Sequence, residues 1–231
     1  KFPPGSRYFL LDLADPESVE QISRRRIEPV DYLFWVSGKL SRVPLDQMVS
    51  DEVDEMIGIN LSGPVRAIQL IHFDQHYLVK KPYHLVTIAS TSSWRMRNNE
   101  TLYCALKAAK AAFTRNFARE LVRDLPGSKA TLVNPGGIKT GLFQDVDQDT
   151  TNFMDPDEVA RIIWNEVERQ KEQFKEVQVM RTEDGRPDVS YGPRLPELPF
   201  DEIVIPIELK NKGILNAEQL EVAREALGFK S

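Results

Sequence analysis

The chain has 231 residues, 41% of them hydrophobic and 28% charged, which is enough for one large domain with a buried core. A formal charge of −5 gives no electrostatic reason to expect nucleic acid or an anionic membrane as partner, and no apolar run approaches the roughly 20 residues of a membrane helix. The single cysteine, Cys104, excludes an internal disulfide and fits a reducing compartment, so a cytoplasmic chain without a signal peptide or membrane segment is expected.

Short β-rich runs alternate with longer helical patterns, which predicts a parallel sheet covered by helices. In chain order the strands are "RYFLLDL" (7–13), "DYLFWVSG" (31–38), "YHLVTIAS" (83–90), "KATLVNPGG" (129–137) and "FKEVQVMR" (174–181). They are nearly continuous apolar runs, as strands buried on both faces are. Helix patterns fall at about 16–26, 46–56, 58–79, 101–123 and 156–172. Asp15 and Asp155 read as N-caps, each followed by a proline at the first helical position. After Met180 the proline-rich "RTEDGRPDVSYGPRLPELPF" reads as an extended surface segment. A short helix is expected at about 217–227, with Asn216 as its cap and Gly228 as its stop. No internal repeat or low-complexity tract interrupts the chain.

"YCALK" (103–107) places Tyr103 and Lys107 four residues apart on a helix, hence on one face about 5–6 Å apart at Cβ. An ammonium about 5 Å from a phenol, at an effective dielectric of 20, favours the phenolate by roughly 3 kcal/mol, or about two pKa units. The pair can therefore poise a tyrosine for proton transfer; at this spacing it also arises by chance on many helices. Its neighbours in the sequence add weight. Ser90 stands where a strand finishes, and "NPGGIKT" (134–140) ends the next strand; ligands of open α/β sheets bind at such ends. Asn60 lies in a long helical pattern, flanked by glycines that can mark a local irregularity.

Taken in order, these motifs resemble the short-chain dehydrogenase/reductase family over about residues 7–181. The resemblance implies an α/β fold with a doubly wound, Rossmann-like parallel sheet over residues 1–182, and a C-terminal extension (183–231) packed on the domain or on a partner subunit. It implies an NAD- or NADP-dependent oxidoreductase that moves a hydride between the nicotinamide and a secondary alcohol or ketone. In that scheme Tyr103 is the general acid or base. Lys107 holds the nicotinamide ribose and lowers the tyrosine's pKa. Ser90 bonds the substrate oxygen, and Asn60 holds the helix irregularity and a water relaying protons to Lys107. Asp12 and Leu13 in "LDLAD", Ser37 and Gly38 in "WVSG", and Pro135, Gly136, Ile138 and Thr140 complete the cofactor contacts, with Tyr103 and Lys107. Ser92 and Ser93 compete locally for the serine role. The partners implied are a small alcohol or carbonyl substrate and further copies of the chain. A homodimer or homotetramer is implied through the helices bearing Asn60 and Tyr103, where Ala108, Ala109 and Ala112 permit close approach.

Two departures keep a second reading open, that of a catalytically silent interaction or cofactor-sensing relative. The family's glycine-rich turn is absent, because "RYFLLDLAD" aligns with its third strand, so the first two β-α units are expected to be missing from this chain. "WVSG" (35–38) stands where the family has an Asn-Asn-Ala-Gly turn, so hydrogen bonds made there must be replaced or lost. In "SWRMR" (93–97), Trp94 and Met96 are candidates for an apolar pocket wall and Arg95 or Arg97 for an anion contact. Residues 141–154 are read as a mobile acidic loop over the cleft. "DVDQDT" lacks the glycine and glutamate of a calcium loop. The three histidines (72, 76 and 84) show no spacing with carboxylates that suggests a metal, so no metal is expected.

Overall fold

A computed structural model describes residues 10–24 and 28–192. The elements are α1 (Pro16–Arg24), β1 (Tyr32–Trp35), α2 (Ser50–Ile57), α3 (Gly63–Phe73), β2 (His84–Ile88), α4 (Thr101–Asp124), β3 (Lys129–Pro135), α5 (Pro156–Glu168), β4 (Phe174–Arg181) and β5 (Pro187–Tyr191). The sheet order is β1-β2-β3-β4-β5; the first four strands are parallel and β5 is antiparallel to β4. This is the expected Rossmann-like α/β architecture. Among the described residues no helix is long and apolar enough to cross a membrane.

The two faces of the sheet fill from different helices. Leu85 and Ala130 point toward Ile68 of α3 and Phe117 and Leu121 of α4, while Val86, Val133, Val177 and Val179 meet Val159 and Val167 of α5. Each such side chain contributes roughly 1.5–3 kcal/mol by leaving water, which is why β2 and β3 carry no polar-outward alternation. One buried polar chain crosses this core: His84 Nε2 donates to Thr131 Oγ1 at 2.7 Å, and Thr131 donates to Gln170 Oε1 at 2.5 Å. Burial lowers the His84 pKa to about 4, so the imidazole is neutral there.

The caps expected at Asp15 and Asp155 are present. Asp15 accepts from Glu17 N at 2.9 Å, and Asp155 accepts from Asp157 N and Glu158 N at 3.0 and 2.9 Å. Three expectations are corrected. Residues 10–13 form no strand, and Leu10 is 95% exposed; residues 7–9 lie outside the described residues. A strand needs a ladder partner, and among the described residues β1 pairs only with β2. Second, the extended surface segment after Met180 contains β5, whose register Val177↔Tyr191 to Arg181↔Pro187 carries the sheet past residue 182. The helix expected at 217–227, and the rest of the tail from 193, lie outside the described residues.

Third, the helical pattern 58–79 is not one α-helix. A π turn over Gly58–Ser62 joins α2 to α3, and a second, Asp74–Val79, follows α3 and ends at Lys80 with φ 55°. The first π turn is the irregularity anticipated around Asn60. Gly58 in this turn and Gly63 at the start of α3 are sterically required, because the Leu13–Ala14 backbone lies against them. A methyl on Gly63 would sit 2.1 Å from the Leu13 carbonyl oxygen, and one on Gly58 2.7 Å from Ala14 Cα. Gly63→Ala is therefore expected to cost roughly 1–3 kcal/mol. Urea denaturation reads this as a lower midpoint, and an unchanged midpoint would show that segment 12–14 does not seat on the turn.

Candidate active site

A cleft with a cavity volume of about 640 Å³ opens at the carboxyl ends of the parallel strands. Of the residues singled out from the sequence, Gly38, Ser90, Tyr103, Lys107, Pro135, Gly136, Ile138 and Thr140 line it. Asn60, Ser37, Asp12 and Leu13 lie outside that wall.

α4 sets the first side of the site. Tyr103, Lys107 and Lys110 follow at helical spacing on its inward face and are 5%, 4% and 0% exposed. Lys107 Nζ lies 5.4 Å from the Tyr103 ring centroid. The expected lowering of the phenol's pKa is not what this geometry produces. Burial pushes the Tyr103 phenol well above its ordinary value and the Glu100 carboxylate adds to this, while a hydrogen bond with Ser90 and the charge of Arg97 act the other way. Burial acts on Lys107 as well and lowers its pKa from 10.5 to about 8.

The three serines are separated by their bonds. Ser90 Oγ accepts from Ser92 N at 3.1 Å and lines the cleft with Tyr103. Ser93 Oγ is spent on two carbonyls, Ser90 O at 2.7 Å and Lys107 O at 3.1 Å, which ties this loop to α4. Ser92 also lines the cleft.

Asn60 bridges the π turn to the loop after β1. Its Nδ2 donates to Lys39 O and Met56 O, both at 3.0 Å, and its Oδ1 accepts from Lys39 N at 3.2 Å. A methyl on Gly38 would lie 3.2 Å from both Asn60 Oδ1 and Lys107 Nζ, so these two groups flank the same short stretch of backbone. Asp12 is turned to local work: its Oδ1 accepts from Ala14 N, and its own N–H donates to Ser18 Oγ, both at 2.9 Å.

The "WVSG" departure has a partner that sequence reasoning missed. Lys110 Nζ sits over the Trp35 ring, 4.4 Å from its centroid, and donates to Ser37 O at 3.1 Å. A cation over an indole face is attracted by the ring quadrupole, so the lysine fixes the loop where the asparagines would have done so. Burial, and then Lys107, hold the Lys110 pKa well below its ordinary value. Arg42 and Glu100 were missed as well. Arg42 Nε and Nη2 donate to Glu100 Oε1 at 2.9 and 2.6 Å, and Nη1 reaches Asp147 O at 3.1 Å, so one guanidinium joins the start of α4 to the loop over the cleft. Neither residue belongs to a periodic pattern that could have signalled it.

In "SWRMR" the cationic candidates, not the apolar ones, face the site. Arg95 and Arg97 line the cleft, whereas Met96 is fully exposed and Trp94 half exposed. The loop 141–154 contributes to the cleft wall through apolar rather than acidic side chains: Leu142, Phe143 and Phe153 line it, and Leu142 and Phe143 pack toward Leu40 and Tyr103.

Burying the Lys107 ammonium costs on the order of 3 kcal/mol, from a pKa of 10.5 lowered to about 8. The folded-state pKa is the lower one, so the cost is full below about pH 8 and fades as pH approaches the unfolded value near 10.5. Lys107→Met is expected to raise the unfolding midpoint at pH 7, with the gain over wild type shrinking between about pH 8 and 10.5. A variant equally or less stable at pH 7 would show that the ammonium is solvated.

A family model for short chain dehydrogenase matches residues 5–151. An uncharacterized oxidoreductase of Staphylococcus aureus strain MW2 is 25% identical over 155 residues, 66% of this chain and 65% of that protein. A similar protein of Staphylococcus saprophyticus is 25% identical over 154 residues, 65% of this chain and 64% of its own length. The chain thus spans slightly less than two thirds of these relatives. Among solved structures, a short-chain dehydrogenase/reductase from Vibrio parahaemolyticus superposes with a TM-score of 0.61 at 24% identity, covering 76% of each chain. A blue fluorescent protein from a metagenomic library, in complex with NADPH, gives a TM-score of 0.61 at 25% identity, covering 74% of this chain and 72% of its own.

Proposed function

This chain belongs to the short-chain dehydrogenase family, and from that premise we propose that it serves as an NAD(P)-dependent oxidoreductase acting on a secondary alcohol or ketone, with Tyr103 as the acid and base. The observation that carries the reading is the meeting of Ser90, Tyr103 and Lys107 on one cleft wall, with the Lys107 ammonium 5.4 Å from the centre of the Tyr103 ring.

The residues present suit a nicotinamide cofactor. Lys107 offers a buried ammonium that no carboxylate among the described residues neutralises, beside the open backbone of Gly38; such a group seeks neutral hydroxyl acceptors such as those of a ribose. Gly38, Lys107, Ile138 and Thr140 would hold the nicotinamide half, with Asp12, Leu13, Ser37, Pro135 and Gly136 as further contacts. When bound, the cofactor supplies the hydride acceptor or donor.

The protein's own groups handle the proton. Burial keeps the Tyr103 phenol protonated at neutral pH, so it can donate from Oη to a carbonyl oxygen during reduction, with the nearby Lys107 ammonium favouring the phenolate that forms. In the reverse direction the same oxygen takes the alcohol proton. Ser90 Oγ donates to the substrate oxygen and stabilises charge developing there. Asn60 acts as a positioning residue: its bonds to Lys39 and Met56 hold the π turn against the Gly38 loop, beside Lys107. A second lone pair on its Oδ1 leaves it able to hold a relaying water. Arg95 and Arg97 favour a substrate with an anionic or strongly polar end.

Tyr103→Phe is expected to lower kcat by at least about a hundredfold, the usual worth of a positioned acid or base, while leaving the Kd for NADH or NADPH within a few-fold. Retained turnover with a carbonyl panel would overturn the assignment. A wild-type chain that binds cofactor and transfers no hydride would favour the silent relative instead. Ala108 and Ala109 are half-buried and Ala112 is exposed on α4, so a homodimer or homotetramer through this face is proposed. Light scattering should give a mass of at least twice 26.4 kDa, and a clean monomer would refute it.

A further inference from the structure

At the far end of α4 from Tyr103, the fold assembles a ligand set that the sequence spacing did not reveal. His72 and His76 stand four residues apart, at the end of α3 and in the π turn that follows it. Asp124, the last residue of α4, joins them from 52 positions away. One nitrogen from each histidine and one carboxylate oxygen all lie within 4.8 Å of one another. The first two are already spaced as metal ligands: His72 Nε2 and Asp124 Oδ2 are 3.2 Å apart. Ligands at 2.0–2.1 Å from a tetrahedral zinc are about 3.3 Å from each other. His76 closes the remaining distance by rotating a partly exposed side chain.

The outer partners are also in place. Tyr83 Oη lies 3.3 Å from His72 Nδ1, leaving Nε2 for the cluster. Arg123 Nε donates to Asp124 Oδ1 at 2.7 Å, so Oδ2 is the oxygen turned to His72. A ligating imidazole bonded at its other nitrogen, and a ligating carboxylate bonded at its other oxygen, are the usual supports of a metal site. Arg123 spends its charge on the oxygen that the metal would not use. The third histidine is not available to such a site, being buried and bonded to Thr131.

We propose that His72 Nε2, His76 and Asp124 Oδ2 bind one borderline divalent cation, zinc in the first instance, which staples the end of α3 and its π turn to the end of α4. The fourth position is left to water. Binding displaces to solvent the proton shared between His72 and Asp124. The site is remote from the cleft: Tyr103 and Asp124 are 21 residues apart on one helix (124 − 103), or about 30 Å at 1.5 Å per residue. Its role is structural, and it stands whether or not the chain transfers hydride.

The test uses the full chain, free of any affinity tag. Zinc is added during calorimetry, and cobalt(II) is followed by its visible absorption. Wild type is expected to take up one equivalent, to show the intense bands of a tetrahedral cobalt site, and to gain several degrees in unfolding midpoint with saturating zinc. His76→Gln should keep the apo unfolding midpoint and weaken zinc binding at least tenfold; Asp124→Asn should do the same to binding, and Tyr83→Phe should weaken it by a smaller factor. Absence of uptake by the folded wild type, uptake that His76→Gln leaves unchanged, or uptake lost in Cys104→Ser would each overturn the assignment.

Discussion

Lys107 and Lys110 stand one turn apart on α4 with almost no exposure, and the loop after β1 is shaped around their ammonium groups. A buried cation is costly unless it finds acceptors or a π-face. Lys110 finds both, in the Ser37 carbonyl and the Trp35 ring. Lys107 finds neither a carboxylate nor a carbonyl among the described residues and is left facing the cleft. The two lysines therefore divide the work: one fixes the backbone of residues 35–38, and the other remains available to whatever fills the cavity. Stability is given up for this arrangement, as is usual where a binding site is pre-organised.

The second half of the arrangement is the π turn at Gly58–Ser62. Widening the helix by one residue brings the Asn60 side chain to Lys39 and Met56 and lets the backbone of Leu13 and Ala14 seat against Gly58 and Gly63. A normal α-turn would carry Asn60 round the axis and away from the Gly38 loop. Irregular helical turns cost hydrogen-bond quality and persist where surrounding contacts hold them; here those contacts run to the segment before α1 and to the loop after β1. The site thus depends on three stretches distant in sequence that meet behind the cleft rather than in it.

Electrostatics at the cleft mouth follow from this closeness. Glu100, next to the start of α4, raises the Tyr103 phenol, yet its carboxylate is held by Arg42. The same guanidinium reaches the carbonyl of Asp147 in the loop over the cleft, so the position of that loop and the charge beside the tyrosine are linked through one side chain.

The strands β2, β3 and β4, the caps Asp15 and Asp155, the tyrosine-lysine face of α4 and the irregularity at Asn60 were legible because each is written in neighbouring residues: an apolar run, a cap before a proline, a spacing of four, a pair of glycines. By itself the sequence determined the α/β class, a parallel sheet covered by helices, and the candidacy of Ser90, Tyr103 and Lys107 for a site at the carboxyl ends of its strands. What it left undecided depends on which faces meet. Residues 10–13 are apolar enough for a strand but have no ladder partner among the described residues, while β5 is rich in proline and polar residues yet pairs because β4 offers it an edge. Tertiary packing alone decided that Tyr103 is raised rather than lowered, since burial of the phenol itself, with the Glu100 carboxylate beside it, outweighs the groups that favour the phenolate. It also decided that Lys110 rescues the altered turn and that Asp124 reaches two histidines. Periodicity and local propensity specify how a segment folds; a pKa or a ligand set depends on desolvation and on partners tens of residues away, and these exist only once the sheet and its helices have closed.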